Sequence, residues 1–207
     1  MFNALVDGTI HQHGILFGLR YFDQHDRMGV RLGATAEMEE DGIRFKLMPE
    51  RPTIGYKVFN LNKDNYLFMG RNKRLQAKVD MIADDKTGIK LYTENQDSTM
   101  LQDITMSINQ LDLGELTSVI PYLPRITGKL NGDYHILQDQ NENISVASDM
   151  GVQKMTYEGS PIGNISTELV YLMKEDDTHA VEARLMLDDE EFGMLSGIYK
   201  SEGEGFI

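Results

Sequence analysis

The sequence predicts an all-β fold: an antiparallel meander of about a dozen strands that either closes on itself as a sandwich or barrel or forms a long curved sheet or groove, with one short helix near 114–123. Three observations carry this. Apolar residues recur with period two, the period of a strand with one buried face. The alternating runs are joined by short acidic or glycine-containing turns, which imply antiparallel neighbours. No run of strands alternates with helical patterns, so no βαβ unit is expected.

The elements follow in order. Ile15, Phe17, Leu19 and Tyr21 share a strand face. Met28, Val30, Leu32, Ala34, Ala36 and Met38 alternate with Gly29, Arg31, Gly33, Thr35 and Glu37. The turn Glu39-Glu40-Asp41-Gly42 leads into Ile43, Phe45 and Leu47. Ile54, Tyr56 and Val58 read as a further strand, then Leu75, Ala77, Val79, Met81 and Ala83. Asp84 to Gly88 turns the chain into Ile89 and Leu91. Ile104, Met106 and Ile108 are even, whereas Leu111 and Leu113 are odd. One extra residue flips every later side chain, so a bulge is expected near Asn109-Gln110. Leu113 to Leu123 is the helix candidate, limited to one or two turns by Pro121 and Pro124. Strands follow at Leu130–Ile136, Ile144–Val146, Ile165–Met173, His179–Leu187 and Phe192–Lys200.

Charge divides the 207 residues in two: 1–100 is a charge-neutral β-rich segment and 101–207 an acidic one, expected to form one continuous sheet. The first carries 14 Lys/Arg against 14 Asp/Glu, the second 6 against 19, so the net charge of −13 lies in the second. That balance excludes a nucleic-acid binder, which needs a basic footprint. The basic run Arg71, Lys73, Arg74 and Lys78 reads as a solvated turn and strand face. No cysteine means no disulfide and no thiolate chemistry. No apolar run approaches the ~18 residues of a membrane span. No signal peptide opens the chain, and its end follows directly on a strand; both are expected of an internal piece of a longer exported protein.

One-faced alternation over so many strands leaves apolar faces to be covered with no helices to do it. Either the sheet closes as a sandwich or barrel, or its inside holds a ligand. Thirteen methionines, among them Met28, Met38, Met81, Met106, Met173 and Met186 or Met194, fit a core or an adaptable apolar lining.

Catalytic and metal chemistry find little footing. His11 and His13 share a strand face, and with His25 or Asp23 could ligate zinc or copper. No second cluster supports them, so no metal or cofactor is assigned. The acidic groups Glu37–Asp41, Glu175–Asp177 and Asp188–Glu191 sit in turns without a calcium-loop pattern. An acid–base pair would need carboxylates converging in a cleft. No catalytic residue is nominated, and the expectation is a protein that is not an enzyme.

Residues 111–173 carry a family resemblance. They contain a short Leu-rich turn ending in Pro, the strand Gly128-x-Leu130-x-Gly132, and the hairpin Tyr157-x-Gly159-x-Pro161-Ile162-Gly163 before an alternating strand. This resembles the TamB/AsmA-like family of bacterial envelope proteins (translocation and assembly module). The resemblance implies an apolar β groove in the periplasm, part of an inner-membrane-anchored protein of Gram-negative bacteria. It implies outer-membrane biogenesis: lipid transport or protein secretion, with phospholipid or unfolded outer-membrane protein as cargo and an outer-membrane barrel-assembly partner. The expected groove lining is Leu130, Tyr134, Ile165, Leu169, Tyr171, Val181, Leu185 and Leu187. The alternative is a closed β-sandwich that binds protein or glycan at its surface. An exposed apolar face and free edges also predict dimerisation through either.

Overall fold

The computed structural model of the chain describes residues 3–11, 14–94, 100–120, 122–174 and 176–200. Its strands are β1 (Asn3–His11), β2 (Gly14–Phe22), β3 (Met28–Glu39), β4 (Gly42–Ile54), β5 (Lys57–Val58), β6 (Asn60–Leu61), β7 (Tyr66–Gly70), β8 (Leu75–Ile82) and β9 (Gly88–Thr93). β10 (Met100–Asp112) leads into the helix α1 (Leu113–Val119). After it come β11 (Ile126–Asp139), β12 (Ile144–Tyr157), β13 (Ser160–Met173), β14 (Thr178–Leu187) and β15 (Glu190–Lys200).

All fifteen strands form one curved sheet, open rather than closed into a barrel. The order is β1-β2-β3-β4-β7-β8-β9-β10-β11-β12-β13-β14-β15, with β5 beside β4 and β6 beside β8. The neutral and acidic halves meet without a break, since β9 pairs with β10 through Leu91↔Met106 and Ile89↔Ile108. The meander follows from its turns. Five of them share one hydrogen-bond pattern, in which the first residue's N–H donates to the carbonyl of the fifth: Asp23 to Arg27, Gly70 to Arg74, Ala83 to Thr87, Asp139 to Asn143 and Lys174 to Thr178. The fourth residue is left-handed each time: Asp26, Lys73, Lys86, Glu142 and Asp177, with φ between 57° and 70°. Such a turn matches the twist of the strands it joins.

Two expectations change and one holds. Ile54, Tyr56 and Val58 do not form one strand: Gly55 and Tyr56 take φ of 60° and 63°, and the chain turns back there so that β5 pairs with β4. The helix stops at Val119, because the C-cap Ile120 is already extended; Pro121 lies outside the described residues. The bulge is present, with the register passing from Ile108↔Gly132 to Leu111↔Leu130. Gln110 takes the left-handed conformation that absorbs the extra residue.

The core is small and lies about the central strands of the sheet. Phe59, Leu61, Val79, Met81, Ala83 and Leu111 form the buried cluster, packed by Leu47, Ile54, Leu116 and Leu130 among others. Residues 55–65 and α1 build it. The Asp112 side chain caps α1 by accepting from the Glu115 N–H at 3.0 Å. Burial pushes the Asp112 carboxyl up, but the Lys129 ammonium at 2.8 Å and the helix N–H groups outweigh it and hold it below its ordinary range. Two glycines let α1 approach: a Cβ on Gly29 would stand 2.9 Å from a Val119 methyl, and one on Gly55 would stand 3.1 Å from the Glu115 carbonyl carbon.

Candidate functional site: an uncovered apolar sheet face

Register shows how the alternating residues assemble. From β11 to β14 two rows run across the strands: Leu130↔Val152↔Ile165↔Leu187 and Tyr134↔Ser148↔Leu169↔Ala183. Tyr171 pairs with Val181, and Leu185 with Thr167. All eight residues expected to line a groove therefore lie on one sheet face. The same face continues backwards through Ile136↔Ile104 and Tyr134↔Met106 into β10, then through Leu91↔Val79 into β8. It reaches β1 by Leu67↔Ala77, Phe45↔Leu67, Ala36↔Phe45, Ile15↔Ala36 and Ile10↔Ile15. The opposite face of β8 to β11 bears Lys78, Asp80, Lys90, Ser107 and Asp133.

This face is apolar along the sheet but covered only in the middle. Val79 and Met81 are buried, and Phe59, wholly buried, lies against the same cluster. Toward β1 the face is open: Val6 is 79% exposed, and Phe17 and Leu19 are exposed as well. Toward β15 it opens again at Leu185, Leu187, Leu195 and Tyr199. The middle is thus occupied by the chain's own side chains, and two uncovered apolar flanks remain.

Residues 55–65 lie in the sheet, with β5 beside β4 and β6 beside β8, and polar ties hold them there. Lys57 Nζ donates to Asp85 Oδ2 at 2.8 Å and to Thr87 Oγ1 at 3.2 Å, and lies 3.6 Å from Glu115. Burial pulls the Lys57 ammonium down, but Asp85 and Glu115 outweigh it and raise it above its ordinary range. Lys57 in turn holds the Asp85 carboxyl well below its ordinary range, helped by Thr87. Asn60 donates to Asp84 at 2.9 Å. Asn62 bonds Asp80 in both directions, its N–H to the Asp80 carbonyl at 3.0 Å and the Asp80 N–H to its Oδ1 at 2.8 Å. Asn65 Oδ1 accepts from the Leu47 N–H at 2.8 Å, which ties the segment's end to β4.

The metal reading fails on geometry. His11 ends β1, whereas Asp23 and His25 lie beyond the far end of β2. Nine extended residues separate the two ends by about 30 Å. His13 lies outside the described residues. Among the described residues no three His, Asp or Glu side chains gather as metal ligands. Asp23 instead builds its own turn, accepting from the His25 and Arg27 N–H groups at 2.8 and 3.0 Å and from the Arg27 guanidinium. The acidic groups of the turns are likewise engaged locally: Glu39 with Arg44, Asp176 with Lys200, and Asp188 with the Asn164 N–H. Glu175 lies outside the described residues.

Two features of the face were not read from the sequence. Met186 and Met194 belong to the other side, because Met186 pairs with Ser166 and Met194 with Arg184. The face also includes Val146, Met150 and Val152 of β12, which fill the space between the β11 and β13 residues. Among the described residues no helix is long and apolar enough to cross a membrane. No protein-family model, curated protein or solved structure matches the chain.

Proposed function

We propose that the chain is a non-enzymatic apolar docking surface of the bacterial envelope, a periplasmic part of an inner-membrane-anchored protein resembling the TamB/AsmA-like family. Its cargo is the acyl chain of a phospholipid in transit. An unfolded outer-membrane protein segment is the related cargo, and delivery to an outer-membrane barrel-assembly partner is the role this reading assigns. One observation supports it above others: the apolar row from Leu130 to Leu187 is a single face of an open sheet, packed against the buried cluster at Leu130 and exposed at Leu187. Monomeric proteins rarely leave so large a contiguous patch to water, and such patches serve binding.

The energetics favour a long, featureless cargo. Each methylene taken from water contributes about 0.8 kcal/mol, so a dozen contribute ~10 kcal/mol before the entropy of association is subtracted. Dispersion contacts have no direction, so a chain can slide along Leu, Val, Ile and Met surfaces while its headgroup stays in water. The covered middle limits each flank to its own stretch of cargo.

The test is lipid retention. Leu169→Arg and Leu185→Glu should abolish phospholipid co-purification, read by mass spectrometry of organic extracts, while Glu168→Lys and Arg184→Glu on the other face should leave it intact. Equal lipid in all four variants would overturn the reading.

A further inference from the structure

We propose that β15 pairs with β15 of a second copy of this chain, antiparallel, about a two-fold axis at Ser196 perpendicular to the sheet. Among the described residues β15 is an open edge, and beyond its bulge at Phe192 the stretch from Gly193 to Lys200 pairs regularly with β14. From Phe192 to Tyr199 it has no charged residue, and Leu195 and Ile198 are 60% and 78% exposed, one on each face. Edge strands are normally blunted by charge, bulges or cover, and an uncharged apolar edge recruits another strand. The other edge is guarded: β1 carries Asp7 at its middle, 3.3 Å from Arg20.

The strand is complementary to itself in one register. Pairing about Ser196 sets Met194 of each copy opposite Ile198 of the other on the polar side of the sheet. On the apolar side it sets Leu195 opposite Gly197 and Tyr199 opposite Gly193, large residues over small ones. Nothing stands within 4 Å of where a Gly197 Cβ would be, so the space for Leu195 is there. The same register sets Lys200 of each copy opposite Phe192 of the other, next in sequence to Glu191. Direction selects this pairing. The main path contains thirteen alternating strands, so β1 and β15 run the same way. A β1–β15 contact between copies would be parallel and slightly weaker, and would not close. The two-fold closes, and it puts both apolar faces on one side of a doubled sheet.

This pairing does not depend on what the apolar face carries, and its test reads mass and cross-linking only. The purified chain should run as a dimer in size-exclusion chromatography with light scattering. Ile198→Lys should halve the mass with an unchanged circular dichroism spectrum. The chain has no cysteine, so Ser196→Cys introduces a single thiol, which should oxidise to a covalent dimer, whereas Thr9→Cys on β1 should not. A monomeric wild-type chain, a dimer that survives Ile198→Lys, or equal cross-linking at Thr9→Cys would each overturn the proposal.

Discussion

Phe59 and Leu111 lie in one buried cluster, the first between β5 and β6 and the second at the bulge where β10 approaches α1. Their meeting ties the two halves of the chain together over the middle of the apolar face. A fully buried Phe reduced to Ala typically costs about 3–5 kcal/mol. Phe59→Ala should lower the denaturation midpoint accordingly. The same change at exposed Phe192 should move it by less than ~1 kcal/mol. Urea titration followed by circular dichroism checks both.

Lys57 is the polar counterpart of that contact. Lys57→Met keeps the stem but removes the bonds to Asp85 and Thr87. Hydrogen exchange of the Phe59 and Asn62 amides, which donate to Pro52 and Asp80, should quicken while that of β12 stays unchanged. Uniform quickening across the sheet would show that Lys57 does not hold residues 55–65 locally.

The left-handed turn residues offer a gain in stability. Glu142 has φ 67° and is not glycine. A left-handed L-residue costs about 1–2 kcal/mol, partly offset by the greater chain entropy that glycine loses. Glu142→Gly should raise stability by ~0.5–1 kcal/mol, and Asn141→Gly next to it should not. Thermal unfolding separates the two.

Acid should weaken the turn at Asp23. Burial pushes this carboxyl up, but hydrogen bonds from the Arg27 and His25 N–H groups, the Arg27 side chain and the Tyr56 hydroxyl outweigh it and hold it at about 2. The folded value lies below the unfolded one. The stabilisation is therefore complete above about pH 4 and lost as pH falls through about 2. Asp23→Asn should flatten the stability profile in that window and leave its shape above pH 5 unchanged.

The alternation of Ile165, Leu169 and Tyr171 with Ser166, Glu168 and Val170 was legible because a strand's facing is fixed by parity. The bulge before Leu111 was legible for the same reason, since a parity break has one local remedy. The excursion at 55–65 was not. Its two strands have two residues each, and its order comes from distant partners such as Asp80, Asp85 and Leu47. Parity does place Met186 opposite Leu185 and Leu187, but it could not place Met194, whose facing depends on the Leu185/Met186 register shift between β14 and β15. Which face stays uncovered is likewise a property of the whole sheet.

Neighbours on opposite faces give the most direct test. A photo-reactive amino acid placed at Leu185 looks onto the apolar face, and one at Arg184 onto the other. Incubated with phosphatidylethanolamine–phosphatidylglycerol vesicles and irradiated, the chain should capture phospholipid at position 185 and not at 184. Capture at 184 alone, or at neither position, would contradict a lipid-bearing apolar face.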